Sequence, residues 1–369
     1  MNLEITQEEK GEIIDNNKEL KNIETKSYDQ QKDPLIFNND KKKNKKKKNK
    51  NKKKKNKNKN KIKLKKQGKL DIEIGIGIDN RKSNLEAFAN VRIGRNNSFI
   101  LFDADNVPHR HVGFTKFVKT GYRMNFNIAL CFKSVFKLHN QTLNIWSHFL
   151  GFLVFIGITI YIYSSKTPVT TSKTNEIIMG VYIAGTLLCF STSTIYHIFE
   201  CYSVKAYKAL FIVDLTGVIV MIETSYLPII FYNFPKHNFF RNFYLIIMGL
   251  LGIFLIYLIW FQRSFMDSHP YFRTFAFFGV CGFTVVPLIH MLIIIPENHA
   301  INILWRVLVV LLIYGLGCVL IAFQIPERYS PKSRFDNFGS SHNIWHFCVV
   351  CAALFHFFNC LYFMEDPVI

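Results

Sequence analysis

The chain has 369 residues, 49% of them hydrophobic, and a formal charge of +20. Residues 41–69 hold 19 lysines and no acid, and 20 − 19 leaves about +1 for everything else. The basicity therefore belongs to one tract, which excludes a fold-wide basic face of the kind that binds nucleic acid.

Residues 1–40 are polar and charged without periodicity, and no apolar stretch precedes a small-residue cleavage site, so no signal peptide is expected. The tract from Lys41 to Lys69 is nearly pure Lys and Asn. It has few apolar side chains to bury and repels itself, which predicts disorder. The preferred reading is a solvated low-complexity insertion. Attraction to an anionic cytoplasmic leaflet comes second, ahead of nucleic acid or nuclear targeting. Asp71–Asp79 alternates apolar and polar residues like a short strand. Its Gly75 and Gly77 mimic the start of a dinucleotide loop, but no third glycine follows at the right spacing, so that reading is dismissed. Residues 1–120 are expected to be a mostly disordered cytosolic region, and 121–369 a membrane domain.

Phe126 to Leu138 mixes Phe126, Ile128, Leu130, Phe132, Val135 and Phe136 with two lysines. This pattern predicts an amphipathic helix lying on the inner leaflet. From Trp146 onward, apolar spans fall at roughly 148–163, 177–198, 209–231, 243–261, 274–295, 303–323 and 343–363. Most approach the ~20 residues that cross ~30 Å of hydrocarbon, and the first is short enough to begin a turn earlier. Backbone in lipid must satisfy itself, so each span is a helix. The fold class is an all-α, seven-transmembrane bundle with no room for a soluble core. All four tryptophans, Trp146, Trp260, Trp305 and Trp345, stand at span ends, as an aromatic belt requires. Positive charge in the short links, with Lys205, Lys208, Arg263, Arg273, Arg328, Lys332 and Arg334 on one side, places the N-terminus in the cytosol and the C-terminus outside. The sequons at Asn96 and Asn140 then face the cytosol and stay unmodified.

That topology gathers chemistry at the inner ends of three spans. His197 closes the second, Asp214 opens the third, and His342 and His346 open the seventh. Ionisable side chains at membrane depth are costly and usually mark a site. His342 and His346 are one turn apart on one helical face, and Ser193 lies one turn deeper than His197. Three neutral imidazoles with an open position are what a catalytic Zn²⁺ requires. A lone intramembrane histidine is more often a packing residue, but three at one depth beside an aspartate favour a metal. His148 is read as an interface or supporting residue beside Trp146, and His139 as interfacial. His290 and His356 lie at other depths. Glu223, near mid-membrane, is either a polar lining of a cavity or a locally satisfied carboxyl. Cys348 and Cys351 form a CxxC inside an apolar helix and read as small buried hydrophobes.

Six segments then resemble one family in order. They are Asn144-Ile145-Trp146-Ser147-His148, Ser193-Thr194-Ile195-Tyr196-His197, Asp214-Leu215-Thr216-Gly217, Val285-Val286-Pro287, Ile325-Pro326-Glu327-Arg328 and Ser341-His342-Asn343-Ile344-Trp345-His346. The chain resembles the progestin and adipoQ receptor family, also called the haemolysin III superfamily, and most of all its adiponectin-receptor branch, over roughly residues 120–363. The resemblance implies seven helices, a cytosolic N-terminus, Zn²⁺ held by His197, His342 and His346, and Asp214 and Ser193 serving the water that the metal activates. Two departures are Gln141, where many relatives carry Glu, and Glu223, where a small residue is expected. The expected activity is hydrolysis of a lipid amide such as ceramide, releasing a fatty acid and a sphingoid base. The expected partners are membrane lipids, with no nucleic acid. The alternatives are a signalling receptor with a structural zinc for an unidentified outside ligand, and a regulator of lipid or metal homeostasis without catalysis.

Overall fold

The computed structural model describes residues 61–62, 72–77, 88–93, 99–107, 117–262, 270–330 and 333–365. The chain divides into two units at Arg95. In the first, β1 (Lys61–Ile62), β2 (Ile72–Gly77) and β3 (Phe88–Ile93) form an antiparallel sheet in the order β1-β2-β3. The register pairs Lys61 with Gly75 and Ile72 with Ile93. β2 thus occupies the alternating stretch, and its neighbours are antiparallel strands rather than the βαβ unit a dinucleotide loop needs. Most of the lysine tract, whose disorder was expected, lies outside the described residues.

The second unit is helical. A short α1 (Ile128–Ser134) is capped by the Asn127 side chain, which accepts from the Leu130 N–H. It buries Leu130 and Cys131 and leaves Ile128 and Phe132 more than half exposed, beside Lys133. This is the amphipathic face the sequence predicts. Seven helices long and apolar enough to cross a membrane follow. They are α2 (Thr142–Ser164), α3 (Lys173–Phe199), α4 (Val204–Asn233), α5 (Asn238–Phe261), a fifth span shared by α6 (Pro270–Phe283) and α7 (Val285–Ile294), α8 (Glu297–Phe323) and α9 (Ser341–Glu365). The first span begins six residues before the apolar run at 148. The polar Thr142 and Asn144 belong to the helix because their side chains are bonded there, Thr142 to the Lys137 carbonyl and Asn144 to Gln141.

The spans differ in burial. More than half of the apolar window is buried in α3 and α9, against 6% in the sixth span, so α3 and α9 form the axis of the bundle. Small residues let helices approach closely in lipid. A Cβ on Gly217 would stand 2.3 Å from Thr192 Oγ1 and 3.1 Å from the Cys189 Cα, which holds α4 against α3. Polar contacts add register. The Tyr182 hydroxyl donates to the Ala353 carbonyl (2.7 Å), joining α3 to α9. His356 Nε2 bonds the Ser225 carbonyl (2.8 Å). That carbonyl lies next to the break in α4's ladder made by Pro228, which has no N–H to give its i−4 carbonyl. His356 is therefore structural. The α6–α7 break at Thr284 has a similar cause: the Pro287 ring crowds the carbonyl of Phe283, four residues back.

Candidate metal centre

Three histidines meet at one end of the bundle. His197 lies in the last turn of α3, and His342 and His346 in the first turns of α9. One ligating atom from each lies within 4.8 Å of the others. Ring centroids stand 5.4 Å apart for His197–His342, 4.8 Å for His197–His346 and 4.9 Å for His342–His346. His197 and His346 are buried and His342 is half-buried. Both ring nitrogens of His197 and Nδ1 of His346 have no hydrogen-bond partner. Buried nitrogens are normally satisfied. Three converging imidazoles, two of them with unpartnered buried nitrogens, fit a Zn²⁺ ion, which takes such donors and leaves one position open in catalytic sites.

The two helix ends are held by charge. The buried Arg123 guanidinium donates to the carbonyls of His197 and Ile198 and to Ser134 Oγ, and lies 3.6 Å from the Glu200 carboxylate. A cation there satisfies carbonyls that the helix leaves free and opposes the negative end of its dipole. At the start of α9 the roles reverse. The buried Glu327 carboxylate accepts from the Ser341 N–H (2.7 Å) and the Ser341 hydroxyl. Asn343 Nδ2 donates to Asn144 Oδ1 (2.7 Å), and Asn144 Nδ2 donates to Gln141 Oε1 (2.6 Å). Gln141, which departs from the family pattern, is thus the acceptor ending a chain from α2 to the helix bearing His342 and His346.

Ser193 is buried one turn deeper than His197, and the half-buried Asp214 carboxyl of α4 lies close enough to feel its hydroxyl. Of the four residues expected together, the described residues bring His197, His342 and His346 into one group that could hold a metal ion, and Asp214 is not part of that group.

One residue belongs to the site more closely than the sequence suggests. His148 on α2 is buried, with its ring 4.0 Å from the His346 ring and 5.0 Å from Phe190. Neither of its nitrogens has a hydrogen-bond partner. The signal that places it was present: it lies one turn beyond Asn144, on the face of α2 that meets Asn343 of α9.

The remaining candidates lie elsewhere. His139 is fully buried. Its Nε2 donates to the Ser134 carbonyl (3.1 Å) and its Nδ1 accepts from the Gln141 N–H (3.0 Å). Burial above all, then the nearby Arg123 charge, drives its pKa down from 6.5 to about 2, against the pull of the Ser134 carbonyl. His290 bonds the Tyr244 hydroxyl (2.9 Å). Glu223 packs against Gly252, and its Oε1 is buried without a partner, so a locally satisfied carboxyl does not describe that atom. Cys348 and Cys351 are free thiols, and among the described residues no cysteine joins a metal-binding group.

Comparison with known proteins agrees with this architecture. A family model described as haemolysin-III related matches residues 136–357. The "Adiponectin receptor protein" of Drosophila melanogaster is 32% identical over 250 residues, 65% of this chain and 54% of that protein. The chain thus spans about half the length of that relative. "Heptahelical transmembrane protein 1" of Arabidopsis thaliana is 30% identical over 257 residues, 68% of this chain and 77% of that protein. "Progestin and adipoQ receptor family member 3" of Homo sapiens is 30% identical over 264 residues, 68% of this chain and 81% of that protein. With its seven apolar helices, the chain is an integral multi-pass membrane protein, and it belongs to the haemolysin III-related family, that of the progestin and adipoQ receptors.

Proposed function

We propose that the protein is a zinc-dependent lipid amide hydrolase of the ceramidase kind, with its N-terminus in the cytosol and its site at the inner end of the bundle. The observation that carries this is the three-imidazole cluster at the meeting of α3 and α9, with Ser193 buried one turn deeper on α3 and Asp214 half-buried on α4. His197, His342 and His346 would hold the ion. When bound, Zn²⁺ on such a donor set polarises a carbonyl and makes water a nucleophile near neutral pH.

The chain's own groups do the rest. Asp214 accepts the proton of the attacking water and returns it to the leaving amine. The Ser193 hydroxyl fixes the orientation of that carboxyl. The surrounding helices exclude bulk water and accommodate an acyl chain. The products are a fatty acid and a sphingoid base.

A second reading is favoured by the names of the relatives, two of which are called receptors. In that reading the zinc ties α3 to α9 and the protein relays an outside ligand, or regulates lipid or metal homeostasis, without catalysis. The test is product release from a long-chain ceramide by the purified, zinc-loaded protein. Turnover supports the hydrolase. No turnover on any ceramide, amide or ester lipid by protein that holds its zinc supports the receptor.

A further inference from the structure

His148 has no role in the chemistry above, yet it sits against the histidine cluster. An imidazole carries one N–H donor and one lone pair. Buried groups of this kind leave few unmade bonds in native proteins, and each one carries a free-energy cost. Here both nitrogens lack a partner, and the ring faces are occupied by His346 at 4.0 Å and Phe190 at 5.0 Å. If the position served packing alone, Phe or Leu would fill it without that cost.

The location says what the missing partner is. Phe190 stands seven residues before His197 on α3, roughly 10 Å along the helix away from its end. His148, lying between Phe190 and His346, is therefore on the membrane-interior side of the cluster. Ser193, one turn before His197 on α3, is on the same side of it. An ion on His197, His342 and His346 would take one nitrogen from each ring and leave both nitrogens of His148 without a partner. What approaches from the membrane interior is the acyl part of a lipid, and its first polar atom is the carbonyl oxygen.

We propose that His148 is a binding residue for this carbonyl: its ring N–H donates a hydrogen bond to the acyl oxygen and sets the lipid's depth against the metal site. The proposal rests on the hydrolase reading and names one more residue that touches the substrate.

The experiment uses the purified full-length protein, with zinc counted per chain and palmitic acid, an acyl chain with its carbonyl, as the binding probe. His148→Phe keeps a ring against His346 and removes the donor. It should keep the zinc and the melting temperature, and bind palmitic acid at least tenfold more weakly. His148→Gln restores a donor and should recover most of that affinity, which a purely structural role would not produce. Should the Phe variant fail to fold, His148→Leu takes its place in the same comparison. Unchanged palmitic acid affinity in a folded variant lacking the donor overturns the proposal while leaving the hydrolase standing. Loss of zinc in the variants overturns it differently, by making His148 a ligand. A wild-type protein without zinc removes the hydrolase reading itself.

Discussion

At the scale of single residues, the site depends on which groups are satisfied within the protein and which are not. His197 and His148 are buried with both nitrogens unmade, whereas His139, also buried, has both made. Asp214 is the group whose role can be isolated. Asp214→Asn keeps its shape and its contact with Ser193 but removes the proton acceptor. The variant should retain zinc and fold while ceramide hydrolysis falls by about 10²–10⁴, the usual cost of losing a positioned base. Zinc loss in the variant, measured by mass spectrometry, would instead make Asp214 a ligand. His139 sets a pH dependence. Its Nδ1 faces the Gln141 N–H, so a second ring proton has no acceptor there. Its folded pKa is depressed from 6.5 to about 2, so the stability it contributes is fully present above about 6.5 and is lost as pH falls toward 2. The melting temperature should drop between pH 7.5 and pH 5, and His139→Gln should flatten that slope. An equal slope in both proteins would remove His139 as the cause.

At the scale of elements, the metal site is two helix ends held in place. Arg123 caps the end of α3, and Glu327 the start of α9. Glu327→Ala should cost roughly 2 kcal/mol or more, because an anion at a helix N-terminus and its two hydrogen bonds are lost together. The first two turns of α9 carry His342 and His346, so zinc affinity should fall with the melting temperature. Wild-type zinc affinity in a destabilised Glu327→Ala would show that the cap does not position the ligands. How legible each element was in the sequence follows from how local its cause is. The spans were legible because twenty apolar residues in lipid have one solution. Their ends were not. α2 starts at Thr142 because Thr142 and Asn144 find partners in the segments beside them, and the α6–α7 break needed the reach of Pro287 back to Phe283. His197, His342 and His346 were legible because helical spacing and span direction bring them to one depth. His148 was legible as an interface or supporting residue, but its contact with His346 depends on how α2 packs against α9; the caps were not legible because Arg123 and Glu327 lie in links without periodicity.

At the scale of the whole molecule, α3 and α9 form the axis, and the site sits where they meet at one end of the bundle. The proposed topology, read from the charge of the links, puts that end on the cytosolic side. A protease-cleavable tag before Met1 should be cut only after cells are permeabilised, and one after Ile369 without permeabilisation. The reverse pattern would move the site to the outer side together with all its residues. Beneath both the hydrolase and the receptor readings lies one claim: His197, His342 and His346 hold a zinc ion. Binding metal at a site absent from the unfolded chain adds folding free energy, so the ion and the fold are coupled. The most direct measurement is zinc per chain in purified wild type and in His346→Ala, by mass spectrometry. About one zinc per chain in the wild type and almost none in the variant is the predicted result; a wild type without transition metal, or a variant that keeps its full share, contradicts the account.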